Sequence, residues 1–363
     1  MKTVPVSTPV FDRQSTPAFN HWMRWVTQRI GHDVETALPG SFVALILGGG
    51  FGRGEGGIVL VDNVEQPYND LDFTLIVRRR EKTALHALHA ISDRYASELH
   101  VDVDFSRPLT VADIRRWPAW LMWQDLLNGH IVVRGPSDIL TANASPILQR
   151  PLPLIEATRL LLNRGAGLLW ALRIVKGIER APDSDFIRRN YFKCALALGD
   201  ALMIAYERYA TPYTGRDERL SRLINEEAGL ASLFLEDQYR DALLFKFRPD
   251  CLPDLPISES DIRTLAERWG QVFLLVERKR TAFSWTSLSD YAGWNGYREA
   301  EQNHPGKWPR NVVQNWRMGR WSSVYPRETL YSRLPALFGL ADHTPSEWDR
   351  ASEAFLQVWR NFN

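Results

Sequence analysis

Apolar positions recur every three or four residues from Phe19 to Ala37 (Trp22, Trp25, Val26, Ile30, Val34), which predicts a helix stopped by Pro39-Gly40. Phe42 to Leu47 is a continuous apolar run, the pattern of a strand buried on both faces. A glycine cluster follows from Leu47 to Gly57, then a short apolar run to Val61 and turn residues from Asp62 to Asn69. Asp70 to Val77 alternates, with Asp70, Asp72 and Thr74 on one side and Leu71, Phe73 and Leu75 on the other. Glu81 to Leu99 carries a helical stripe of Leu85, Leu88, Ile91 and Tyr95. His100 to Phe105 alternates again, Thr110 to Asn128 is a tryptophan-rich helical segment, and Ile131 to Val133 is a short strand.

After Pro151 and Pro153 the strand-like runs stop. Helical spacing is predicted over 154–178, 186–209, 217–228, 233–247 and 259–282, with a last amphipathic helix over 346–362. The expected organisation is a flexible arm over 1–17, an α+β domain over 18–150 with a mixed β-sheet flanked by helices, and an all-α domain over 151–363.

Composition narrows the choices. The chain has 363 residues, 45% hydrophobic and 24% charged, enough to bury a core without disulfides or structural metal. The net charge of +1 gives no bulk attraction to a polyanion, so nucleic-acid affinity requires a local patch. Two cysteines without a CxxC argue for a reducing compartment and against a zinc site. The first 17 residues lack an apolar signal region, and no run of about 18 apolar residues predicts a membrane span, so a cytoplasmic protein is expected.

The chemistry concentrates between Leu45 and Phe105. Gly52-Arg53-Gly54-Glu55-Gly56-Gly57 matches the dinucleotide fingerprint, but Ile58 to Val61 looks extended where that fingerprint needs a helix. A P-loop is excluded by the lack of Gly-Lys-Ser/Thr. The third reading joins the glycines to the acids. Asp70 and Asp72 project to one face of a strand, and an acid on a neighbouring strand can meet them. Converging carboxylates repel one another unless cations sit between them, and Mg²⁺ suits such oxygen ligands. Any one of these acids could equally end a turn or sit on a strand surface.

Gly49-Gly50-Phe51-Gly52-Arg53-Gly54-Glu55, then Asp70-Leu71-Asp72, then Val101-Asp102-Val103 resembles the DNA polymerase β-type nucleotidyltransferase superfamily, over about residues 40–135. The small-molecule or minimal branch is the nearest in pattern. The resemblance implies transfer of NMP from an NTP to a hydroxyl-bearing acceptor, with pyrophosphate released. It implies two Mg²⁺ ions, with Mn²⁺ as a substitute. Gly49 and Gly50 fall on the Gly-Ser pair that holds the triphosphate, and Gly50 stands where the family has serine. Asp70 and Asp72 fall on the metal-binding carboxylates. Asp102 falls on the third, with Asp104 able to share or replace its role. The long interval from Gly50 to Asp70 suggests an inserted hairpin or loop. A small polar acceptor is favoured by the near-zero net charge. The alternatives are an RNA 3′ end or protein side chain as acceptor, or a non-catalytic nucleotide- or RNA-binding protein on the same fold.

Three further features stand out. Arg53 could contact phosphate or pair with Glu55 or Asp62. Lys193 is the candidate triphosphate contact from the helical segment, although a solvated helix face explains it as well. Residues 303–333 hold Lys307, Arg310, Arg317, Arg320, Arg327 and Arg333 against one acid, Glu328, interleaved with Trp308, Trp316, Trp321, Tyr325 and Tyr331. That mixture suits single-stranded nucleic acid, and it also suits ordinary tryptophan packing.

Overall fold

The computed structural model describes residues 9–68, 70–80, 82–233, 235–339 and 344–362. The chain forms two compact units. The first is Met1–Pro153 with Tyr209–Arg219 and Leu243–Asp254; the second is Leu154–Arg208 with Leu220–Ala242 and Leu255–Asn363.

In the first unit, α1 (Pro17–Ala37) starts where the Thr16 hydroxyl accepts from Phe19 N and Pro17 presets the first turn. It is followed by β1 (Phe42–Leu47), α2 (Gly49–Gly52), β2 (Ile58–Val61), β3 (Val64–Pro67), β4 (Leu71–Val77), α3 (Lys82–Leu99), β5 (Val103–Phe105), α4 (Val111–Ile114), α5 (Leu121–Asn128) and β6 (Ile131–Arg134). The sheet order is β5-β4-β1-β6. β1 pairs antiparallel with β4 and β6, and β4 pairs parallel with β5. The sheet is therefore mixed.

Strand alternation sorts its two faces. Leu71, Phe73, Leu75 and Val77 of β4 join Leu45 and Leu47 in a core with Met23, Val26 and Ile30 of α1 and Leu88 and Tyr95 of α3. Ala44, Ile46 and Ile76 face the other way, into a cluster with Ile114, Trp117 and Leu126. Asp72 shares the parity of Ile76 and so belongs to this second face.

The interval between Gly50 and Asp70 holds the expected insertion. β2 and β3 form an antiparallel hairpin, and its turn residues Asp62 and Asn63 both have positive φ, 51° and 61°. That is the twist a two-residue hairpin loop needs, and Asp and Asn tolerate it well. Two expectations change. The tryptophan-rich segment is two helices, α4 and α5, because Pro118 falls between them. Residues 9–16, read as part of an arm, are packed: Phe11 is in the core, and Phe11 N and Asp12 N donate to the Asn20 side-chain oxygen.

The second unit is helical. It contains α6 (Leu154–Val175), α7 (Phe186–Ala205), most of α8 (Arg216–Glu226) and α9 (Glu236–Phe247), then α10 (Glu259–Thr281), α11 (Leu288–Gly293), α12 (Trp308–Arg317), α13 (Glu328–Gly339) and α14 (Pro345–Arg360). α10 is long and capped at both ends. Ser258 and Asp261 form a capping box at its start, and Ala282 closes it in the left-handed region. The Trp269 indole N–H on its buried face donates to Leu161 O. No helix among the described residues is long and apolar enough to cross a membrane.

Candidate active site

β1 ends at Leu47 and turns directly into the glycines. Gly48 N donates to Asp72 O at 2.8 Å, which binds the turn to the first residues of β4. Gly49 has φ +60°, and a Cβ built on it would lie 2.2 Å from Asp72 Oδ2. The carboxylate of Asp72 therefore rests against the bare Cα of Gly49, a place that only glycine can fill.

The parallel pairing of β4 with β5 sets Asp72 opposite Asp104. Asp70 lies just before β4. Carboxylate oxygens of Asp70, Asp72 and Asp104 come within 4.8 Å of one another. At such separations each like-charge pair costs on the order of 1–4 kcal/mol, depending on the solvent nearby. Burial, together with the charges of Asp70 and Asp102, holds the Asp104 carboxyl above its usual range. Three accessible oxygen donors that repel one another fit a hard divalent cation.

Asp102 stands outside that trio. His100 turns left-handed at φ 56°, and pairing with β4 begins only at Val103. Asp102 contributes its carbonyl, which accepts from Leu71 N at 2.9 Å, and its charge adds to the field at Asp104.

Behind the glycine turn lies a polar cluster. Arg53 is 3.7 Å from Glu55, one of the alternatives expected for it beside Asp62 and a phosphate, and lies over the Tyr213 ring. The buried Glu55 carboxylate accepts from Tyr213 N, Thr214 N and the Thr214 hydroxyl at 2.7–3.0 Å. Burial pushes the Glu55 carboxyl up, but those donors and the Arg53 charge outweigh it and hold it below its usual range. Arg216 is fully buried and stacked 3.7 Å over Tyr213, donating to Ala210 O, Thr211 O and Pro212 O. Glu55 and Arg216 thus fix the 209–219 segment behind the loop.

Lys246 completes this cluster. Its Nζ donates to Glu55 O at 3.0 Å and lies 3.5 Å from where a Cβ on Gly50 would stand. That Cβ would also crowd Glu55 O at 3.0 Å, so the space a serine would use here is already closed in. Burial, reinforced by the Arg53 charge, lowers Lys246 to about 7. Sequence reasoning did not select it. The available signal was a single cation inside the apolar run from Ala242 to Phe247. Lys193 is an exposed residue of α7 in the second unit. Asp200, another charge in an apolar run, is buried and accepts from the Tyr239 hydroxyl at 2.6 Å.

No protein-family model matches the chain, and no curated protein matches it. Among solved structures, it is similar to a nucleotidyltransferase-like protein from Exiguobacterium sibiricum 255-15, at 12% identity and a TM-score of 0.29, over 82% of this chain and 92% of that one. A likeness this distant carries no argument about what the chain does.

Proposed function

We propose that the first unit transfers a nucleoside monophosphate from an NTP to a hydroxyl group of a small polar acceptor, releasing pyrophosphate. The observation that carries this reading is the meeting of Asp70, Asp72 and Asp104 beside the Gly48–Gly50 turn. An acid trio next to a tight glycine turn suits a ligand carrying both phosphates and divalent metal.

Asp70, Asp72 and Asp104 would hold Mg²⁺, or Mn²⁺ in its place. Such ions, when bound, neutralise the charge on the phosphates and on the attacking and leaving oxygens. The chain's own groups do the rest. First-turn N–H groups of a helix have no partners within it, so those of Gly49 and Gly50 are available to phosphate oxygens. Lys246 beside Gly50 adds a positive charge in place of the hydroxyl that serine would bring. Asp104, opposite Asp72 on the neighbouring strand, accepts the proton of the acceptor hydroxyl as its oxygen bonds to the α-phosphorus. The bond from that phosphorus to the bridging oxygen breaks, and pyrophosphate leaves with the electron pair.

The test is a thermal-shift panel of the four NTPs with and without Mg²⁺, followed by pyrophosphate release. An NTP at about 100 times its Kd should stabilise the fold by about 2.7 kcal/mol. Asp70→Asn should abolish both the Mg²⁺-dependent shift and pyrophosphate release. Absence of a shift with every NTP in Mg²⁺ would sink the proposal.

A further inference from the structure

Helix α12 is inside out. Its buried positions are Asn311 and Asn315, 1% and 3% exposed, while Val313 and Trp316 face solvent at 48% and 60%. The buried amides have a defined task. Asn311 Nδ2 donates to Gln302 O and Ser323 O, and Asn315 Nδ2 donates to Ser322 O and Val324 O. Arg320 N returns to Asn315 O. These bonds hold the 318–324 loop against the helix and display Trp321, which is 83% exposed. Trp308, at the start of the helix, is 46% exposed and anchored by its indole N–H on Asn303 O.

The charges around these rings have one sign. Lys307, Arg310, Arg317 and Arg320 lie on α12 and its flanks, and residues 303–327 contain no acid. The next acid, Glu328, is buried and accepts from Arg298 N and Asn303 Nδ2. Among the described residues, the four cations make no ion pair and no cation–π contact. A core use of tryptophan would bury the rings. An ordinary solvated helix face would pair some of the charges and would not keep three large rings in water. Flat rings alternating with unpaired cations complement a flexible polyanion that has flat rings of its own.

We propose that the outer face of α12, with the loop carrying Trp321, binds single-stranded nucleic acid. Bases stack on Trp316 and Trp321, and the backbone phosphates meet Arg310, Arg317 and Arg320. This surface lies wholly in the second unit and does not use the acids of the first.

The experiment is fluorescence anisotropy of a labelled oligonucleotide of about 15 residues, with the full chain, across a salt series. Binding should weaken as salt rises, with a log–log slope near −2 for about three phosphate contacts. Trp316→Ala and Trp321→Ala should each weaken binding by about tenfold. Arg317→Gln should make the slope shallower by about 0.7. All three positions are exposed, so unchanged melting temperatures verify that the variants fold. Asp70→Asn should leave oligonucleotide binding unchanged, and Trp321→Ala should leave the Mg²⁺-dependent NTP shift unchanged, so this surface and the proposed transferase site fail independently. Lack of binding at low salt overturns the proposal, as do tryptophan variants of unaltered affinity. Binding to phosphatidylserine-containing vesicles with none to the oligonucleotide overturns it in favour of a membrane surface.

Discussion

Asp72 Oδ2 and the Cα of Gly49 are so close that no side chain fits between them. The same contact makes Gly49 both the hinge of the glycine turn and a packing surface for an acid of the proposed metal site. Gly49→Ala should therefore do more than strain the backbone. The left-handed conformation alone costs about 1–2 kcal/mol. The new methyl group also displaces the Asp72 carboxylate, so Mg²⁺-dependent NTP binding should disappear in the fraction that folds. Calorimetric melting with and without Mg²⁺-NTP checks both. Retention of the NTP-induced shift would show that Asp72 does not need this contact.

Neutralising an acid of the trio should stabilise the protein while removing its chemistry. The raised Asp104 carboxyl favours the protonated fold, so its stabilisation is present below the ordinary value of 3.8 and is lost as pH rises through the folded value. At neutral pH without metal the trio is thus a burden on the fold. Asp104→Asn should raise stability there by a few tenths to about 1 kcal/mol, a gain limited by solvent screening. It should also end pyrophosphate release. Urea titrations at pH 4 and pH 7 check the sign: the variant's advantage should shrink at the lower pH.

Lys246 gives the opposite pH signature. Its folded value of about 7 lies below the 10.5 of a free lysine, so the unfolded chain binds more protons between those values. Its contribution is full above 10.5 and is lost as pH falls through 7. Lys246→Met should flatten the stability profile between pH 7 and pH 10 and weaken NTP binding. Phosphate beside Nζ should favour the charged form, so NTP binding near pH 8 should take up a proton. Titration calorimetry in two buffers of different ionisation enthalpy measures that uptake.

Glu55 is a clamp, and removing it should be costly. Glu55→Ala leaves Tyr213 N, Thr214 N and the Thr214 hydroxyl without their acceptor inside the protein. A loss of about 2–4 kcal/mol follows, by the usual penalty for unpaired buried polar groups. Chemical denaturation measures it. Hydrogen exchange should show lost protection at 213 and 214 first.

Much of this was legible in the chain. The strand from Phe42 to Leu47 and the long helices follow from periodicity, which acts over a few residues; the strand Val64–Pro67 did not, because it lies inside the segment 62–69 read as turn. The choice between Asp102 and Asp104 was not legible. Both acids have the parity of one strand face, and only the register with β4, which starts at Val103, sets Asp104 rather than Asp102 opposite Asp72. Lys246 and the 209–219 segment were also hidden. They come from more than 150 residues downstream of the glycine turn, and no local pattern announces such a return.

The sheet has two open sides, and they are protected differently. At β6, α1 lies close by: Gly31 approaches the Val133 side chain, and Glu35 pairs with Arg134. At β5 the strand is three residues long and carries Asp104. A short edge bearing charge gives another chain little backbone to pair with. The acids proposed to hold metal thus also discourage edge-to-edge association, and a chain stripped of them would form sheet-edge aggregates more readily.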